Sequence, residues 1–393
     1  MPVDAAKIDR LAEWLIDGAR SSPDIRATIA EVCGRLRQAG VPVSRFVLLF
    51  LQLHPNLLGS RFCWLEDGSI EQTDARFGLF DDADFRDNPM SVLLETRQPI
   101  RRKLCDPDCP ADFQLLQRLK AEGVTDYLVA PMLFSDGEAH GMTWATTREG
   151  GFEKADLAAL ERIRGPFTRV FESYILRLTA SNLLSAYVGH DIGHKILAGK
   201  VRRGDVEEIT ACVVFADLVG FTRLSNERPA TEVLKRLNTF YDCVVPPILE
   251  RGGEVLKFMG DGILAIFPIK PEEPDAEVTA CRLALAALRQ AWGGGDGPAF
   301  SEDRPPFRAA VHVGKVQYGN IGALNRLDFT AIGPAVNLTA RFLEAAKAVE
   351  GQTVVSEPVA RLLQLDPALA EHVSIRDFEG KQPVYTVARM AAD

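Results

Sequence analysis

The 393-residue sequence has no long hydrophobic run. Its most apolar stretch, residues 46–53 in "RFVLLFLQLHP", is far short of the roughly 20 residues that cross a bilayer, so no membrane span is expected. The opening "MPVDAAKIDRLAEW" is charged and lacks the apolar centre of a signal peptide, which predicts a cytoplasmic protein. An excess of positive charge is missing as well. With 45 Lys and Arg against 54 Asp and Glu, the formal charge is −9, and a dedicated nucleic-acid binder needs a basic face to neutralise phosphates. Cysteine is sparse and odd in number, seven in all, so a disulfide framework is not expected. There is no internal repeat and no low-complexity tract.

What is present is a globular composition, 47% hydrophobic and 25% charged, in a chain long enough for two or three domains. Residues 5–38 carry apolar side chains at helical spacing. Extended runs follow at 45–53 and 61–65, the second ending at Asp67-Gly68. Then come "MSVLLETRQPIRRKL", a helix in "ADFQLLQRLKAEG", and a hairpin turning at Asp136-Gly137. This order predicts an α+β module over residues 1–166. A helical pattern runs from "FEKADLAALERI" to "NLLSAYVGHDIGHKILAG", with a break expected at Gly165-Pro166. Residues 167–204 then form a helical linker suited to a dimer contact and to carrying a signal.

Beyond residue 204 the pattern changes. A buried strand, "ACVVFAD", precedes an amphipathic helix, "ATEVLKRLNTFYDCVVPPILERGG", whose last turns Pro246-Pro247 should bend. Next is "VLKFMGDGILAIF", two β-patterned runs flanking Asp261-Gly262, the strongest short-range hairpin signal. A helix over 276–292, a Gly/Pro-rich loop over 293–306 and the strand "FRAAVHV" complete a β-α-β-β-α-β order, the split βαβ arrangement. In that topology the first strand lies beside the central hairpin, so Asp217 approaches Asp261. Two adjacent carboxylates suit a pair of divalent cations bridging a polyphosphate. By themselves they equally suit a strand-end cap and a turn former.

Further residues extend the pattern. Gly220 and the Phe221 and Thr222 amides follow Asp217, where a phosphate group can lie against backbone N–H groups. In "TAIGPAVNLTARFLEAA", Asn337 and Arg341 stand at i, i+4 on one helix face, an amide and a guanidinium suited to a ribose oxygen and a phosphate. An exposed Asn and Arg on a helix surface is the bland alternative.

The segments "VVFADLVGFTRLS", "GGEVLKFMGDGILAIFP", "AAVHVGKVQYGNIG" and "RLDFTAIGPAVNLTARF" resemble, in order and spacing, the successive motifs of class III adenylyl cyclases over residues 205–393. The resemblance implies a ferredoxin-like βαββαβ catalytic domain that converts ATP to 3′,5′-cyclic AMP and pyrophosphate. It implies two Mg²⁺ or Mn²⁺ ions per site, held by Asp217, Asp261 and the Leu218 carbonyl. It places Lys257 as the purine-reading lysine, Asn337 as the ribose-orienting asparagine and Arg341 as the transition-state arginine. Lys381 in "FEGKQPVYTV" is a candidate cation for the terminal phosphates, with a solvated hairpin lysine as the alternative. Where many members carry an adenine-reading aspartate, this chain has Thr330, and Asp328 is two residues too early. Threonine there resembles the class IIIb branch, from which a bicarbonate response is implied. A homodimer is implied too, with the aspartates of one subunit meeting the lysine, asparagine and arginine of the other.

Base choice follows from hydrogen bonding. A protonated Lys257 donates to adenine N1, whereas guanine N1 carries a hydrogen and presents donor to donor. Thr330 can accept from the adenine amino group. Two rivals remain, a guanylyl cyclase, disfavoured by Lys257, and a catalytically dead cyclase-like partner, which should have lost a metal aspartate or the arginine.

The first half resembles a GAF-type sensor module in its element order and in "GVTDYLVAPMLFSDGEAHGMTWAT", implying a small-molecule or ionic regulator. Cys105 and Cys109 in "LCDPDCP" are spaced for a redox pair or a metal, or are plain loop thiols. His190 and His194 in "GHDIGH" share a helix face and suit a metal or simple solvation.

Overall fold

The computed structural model describes residues 2–78, 83–293, 304–348, 353–375 and 380–387. The chain divides into two compact units, Met1–Ala186 and Tyr187–Asp393. Most of the Gly/Pro-rich loop expected over 293–306 lies outside the described residues. No helix among the described residues is long and apolar enough to cross a membrane.

The first unit opens with two helices, α1 (Ala5–Ile16) and α2 (Ile25–Gln38), within the region of helical periodicity over 5–38. Asp24 separates them by capping α2, its carboxylate accepting from the Ala27 amide at 2.9 Å. Strands β1 (Arg45–Leu51), β2 (Gly59–Leu65) and β3 (Ile70–Ala75) follow, then short helices α3 (Ala83–Arg86) and α4 (Pro89–Thr96). Next come β4 (Ile100–Arg102), α5 (Gln114–Ala121), β5 (Asp126–Leu133), β6 (Ala139–Thr146) and the long α6 (Lys154–Val188). The six strands form one antiparallel sheet, ordered β3-β2-β1-β6-β5-β4.

One face of this sheet packs Phe46, Phe50 and Trp144 against α1, α2 and α6, and the other packs Leu49, Tyr127 and Ala145 against α4 and α5. The expected break at Gly165-Pro166 does not occur, because α6 runs through Pro166. Proline there costs about 3 kcal/mol. Ile163, Phe167 and Phe171 are fully buried around it, and each such side chain contributes about 1.5–3 kcal/mol. The helix ends instead at Gly189, whose φ of 93° only glycine adopts freely.

The second unit begins with α7 (His190–Leu197) and β7 (Val206–Leu218), followed by α8 (Phe221–Glu227) and α9 (Ala230–Glu250). The central hairpin is β8 (Glu254–Met259) and β9 (Gly262–Pro268), and α10 (Ala276–Ala291) leads to the long β10 (Phe307–Ala323). The remainder is β11 (Arg326–Ile332), α11 (Pro334–Ala345), β12 (Thr353–Ser356), α12 (Glu357–Leu362), β13 (Ala370–Ser374) and β14 (Lys381–Thr386). The sheet order is β13-β14-β12-β10-β7-β9-β8, with β11 folded back on β10. Its β10-β7-β9-β8 portion is the expected ferredoxin-like split βαβ arrangement, so the protein is α+β. Helices α9, α10 and α12 cover one face, through Phe240, Cys281 and Val359. Ile192 of α7 with Ala335 and Val336 of α11 cover the other.

Candidate active site

Strand pairing brings Asp217 and Asp261 together. On β7 the continuous buried run 211–216 ends at Asp217, which lies opposite Gly262 of β9. The Leu218 amide donates to the Asp261 carbonyl at 3.0 Å, locking the strand end to the hairpin tip. The two-residue turn is Gly260-Asp261, one residue earlier than the Asp-Gly signal placed it, since Met259 pairs with Gly262. Gly260 takes the positive φ, 67°, at the first central position, so Asp261 keeps ordinary backbone geometry. Partial burial, then the neighbouring charge of Asp261, pushes the Asp217 carboxyl up to about 6.

Such a pair is electrostatically incomplete. Two half-buried carboxylates within hydrogen-bonding reach of each other repel when both ionise, and a divalent cation removes that repulsion. The donor set therefore fits a hard metal ion. After Leu218, Gly220 adopts a left-handed φ of 76° and starts α8, where Phe221 and Thr222 occupy the first turn and their amides have no intrahelical acceptor.

Lys257 points elsewhere. Its Nζ lies 2.5 Å from Asp328 Oδ2 of β11, and among the described residues it pairs with neither Asp217 nor Asp261. Asp328 and Thr330 are two apart on β11 and share its face. Thr330 is buried, and its hydroxyl has no hydrogen-bond partner among the described residues. Asn337 is exposed on α11, and Arg341, one turn on, has its Nη1 3.4 Å from Glu344 Oε2. Helix α11 is held against the sheet by Ala335, Val336 and Phe342, which leaves those two polar side chains outside the core.

Lys381 is not brought to the aspartates within one chain. It is exposed at the start of β14, opposite Ser374, and β12 and β10 stand between β14 and β7, about 14 Å away. His190 and His194 do lie on one helix, with ring centroids 4.5 Å apart. No group of three or more His, Cys, Asp or Glu side chains converges on a metal position among the described residues. Cys105 and Cys109 are free thiols in a turn-rich loop.

Residues 205–388 match the family model for the adenylate and guanylate cyclase catalytic domain. This half of the chain carries a cyclase catalytic domain. An uncharacterized protein of Mycobacterium tuberculosis is 31% identical over 214 residues, which cover 53% of this chain and 35% of that protein. A second, from Mycobacterium bovis, is 31% identical over 229 residues, 56% of this chain and 40% of its own length. The chain thus spans little more than a third of these curated relatives. Among solved structures, the adenylyl cyclase CyaB from P. aeruginosa is 25% identical, covering 48% of this chain and 98% of its own with a TM-score of 0.38. The guanylyl cyclase Cya2 is 25% identical, covering 46% and 92% with a TM-score of 0.37.

Two features of the cyclase domain were not legible from motifs. Tyr241 of α9 donates its hydroxyl to the Gly260 carbonyl at 2.6 Å and sets its ring against Phe258, so a helix side chain braces the turn that presents Asp261. Burial, then Asp261 and Asp217, holds its phenol above the usual range. The amphipathic pattern of α9 marks Tyr241 only as a helix residue. Elsewhere in the cyclase domain, Tyr318 of β10 donates to Glu254 of β8 and accepts from Lys195 Nζ at 3.0 Å, tying α7 to two strands.

Proposed function

We propose that the protein is an adenylyl cyclase that converts ATP to 3′,5′-cyclic AMP and pyrophosphate at sites shared between two copies of the chain, under control of residues 1–166. The observation that carries this reading is the pairing of Asp217 with Asp261 at a locked strand end and hairpin tip. Asp217, Asp261 and the Leu218 carbonyl would hold two Mg²⁺ or Mn²⁺ ions, which when bound neutralise the triphosphate and acidify the ribose 3′-hydroxyl.

The chain's own groups orient the nucleotide. Lys257 donates to adenine N1, and the unpartnered Thr330 hydroxyl accepts from the exocyclic amino group. Asn337 orients the ribose so that the 3′-oxygen attacks the α-phosphorus in line. A new P–O bond forms, the α–β bridging bond breaks, and pyrophosphate leaves. Arg341 offsets the charge that develops on the α-phosphoryl oxygens, and losing such a donor typically costs about 2.7–4 kcal/mol.

Sharing the site between chains is supported by Lys257 pairing with Asp328 rather than with the aspartates. It is also supported by exposed apolar side chains on the same strands, Phe258 and Met259 of β8 and Leu327 and Ile332 of β11. The six-stranded sheet with helices on both faces supports a GAF-like sensor reading of residues 1–166.

Product analysis of purified protein with ATP and GTP, in Mg²⁺ and in Mn²⁺, with and without bicarbonate, tests the proposal. Cyclic AMP from ATP is expected. Cyclic GMP from GTP alone would replace it with the guanylyl reading, and no product from either nucleotide would leave a binding protein.

A further inference from the structure

Between the sheet of the first unit and helices α3–α5 lies a cavity of about 310 Å³. Val47, Leu49 and Ala145 line it from the sheet, and Phe85, Met90 and Leu119 from the helices, so its surface is mostly apolar. Two arginines, Arg45 and Arg61, are among the lining residues. Their situations differ. Arg45 is answered by Glu122 at 3.2 Å, whereas Arg61 reaches a neutral group, the Thr73 hydroxyl, at 3.4 Å. No carboxylate pairs with Arg61 among the described residues.

Asp74 also borders the cavity, but its carboxylate is engaged on the opposite side of the sheet. It accepts from Ser60 at 2.7 Å and from Gln72 at 3.1 Å, and Gln72 in turn accepts from Arg26 of α2 at 2.6 Å. Cross-strand pairing agrees: Arg61 faces Thr73 and Ser60 faces Asp74, and successive residues alternate between faces. Among the described residues, the cavity face therefore carries one cation without a matching anion, beside apolar walls.

We propose that this cavity binds a small amphiphilic carboxylate, its apolar body among Val47, Leu49, Met90 and Leu119 and its head on Arg61. A carboxylate suits the planar fork of arginine, which can donate two parallel hydrogen bonds to it. The volume equals that of about ten water molecules, which admits a ligand of about ten to fifteen non-hydrogen atoms. This assignment names the ligand class for the regulatory reading of residues 1–166, and rests on that reading only for an effect on the cyclase domain.

Titration calorimetry of the full-length chain with octanoate, octan-1-ol and octylamine tests it. Octanoate should bind, octanol more weakly, and octylamine not at all. Arg61→Met should weaken octanoate about tenfold or more while leaving octanol unchanged, since a charge-assisted pair is lost and the apolar walls remain. Ala75→Phe, which narrows the cavity without touching the charge, should weaken both, and serves if Arg61→Met does not fold. Octylamine binding as well as octanoate, undiminished octanoate affinity in Arg61→Met, or no octanoate binding by folded wild-type protein would each overturn the inference. Because heat of binding is measured, an inactive but octanoate-binding protein removes the cyclase reading alone, and an active protein that ignores octanoate removes this one alone.

Discussion

Lys257 Nζ lies 2.5 Å from Asp328 Oδ2, so the lysine assigned to the base is already held by an acid from a strand remote in sequence. Lys257→Ala should lower kcat/KM for ATP about 10- to 100-fold, the value of a charged hydrogen bond. Asp328→Asn should cost about tenfold or less, because the lysine survives without its support. If Asp328 acts only through Lys257, the double variant is no worse than Lys257→Ala. Steady-state kinetics on the cycle decides, and additive losses would give Asp328 a role of its own.

Asp217→Asn and Asp261→Asn should each abolish turnover while preserving the fold. Both also remove a like-charge repulsion inside a partly buried pair. Metal-free thermal melts should therefore show Asp217→Asn at least as stable as wild type, by on the order of 1 kcal/mol. Near-normal activity in either variant rules out the two-carboxylate site.

Mixed dimers test the shared site. Asp217→Ala and Arg341→Ala homodimers should both be inactive, and a mixed dimer then holds one site with both lesions and one with neither. With statistical exchange about half the dimers are mixed, each with one intact site, so recovery of about a quarter of wild-type activity is expected for independent sites. Mixed dimers verified by size and label that show no activity exclude a site built from two chains.

Tyr241→Phe removes the hydrogen bond to the Gly260 carbonyl and leaves the ring on Phe258. The turn then loses its brace. Half-saturating Mg²⁺ or Mn²⁺ should rise about five- to tenfold, as for loss of a group that supports metal ligands, with little change in thermal midpoint. An unchanged metal dependence would make Tyr241 a packing residue.

Two buried histidines set an acid limit on stability. Burial pushes His312, with Nδ1 2.7 Å from Ser356 Oγ, down to about 4. His140, whose Nδ1 accepts from the Leu51 amide, is likewise pushed down to about 4 despite Asp136 and Glu172. A histidine with a depressed folded pKa favours folding in its neutral form. Its contribution is complete above the unfolded value of about 6.5 and is lost as pH falls toward about 4, on the order of 3 kcal/mol for each. Thermal midpoints should fall across that interval, and His312→Asn should flatten the fall.

Much of this protein is determined by local sequence. The Asp-Gly signal put Asp261 at a hairpin tip because turn chemistry depends on a few adjacent residues. The strand ending at Asp217 and the i, i+4 pair Asn337 and Arg341 are likewise set by short-range periodicity. Tertiary structure decided the rest. Strand register, which depends on pairing between distant segments, put Asp217 opposite Gly262, and the folding of β11 back on β10 brought Asp328 to Lys257. Helix α6 passes Pro166 because burial of Ile163, Phe167 and Phe171 outweighs one lost backbone bond, a balance no local rule contains. The brace from Tyr241 and the cavity beside Arg61 exist only because helices lie against particular sheet faces, and that packing is settled by the whole core at once.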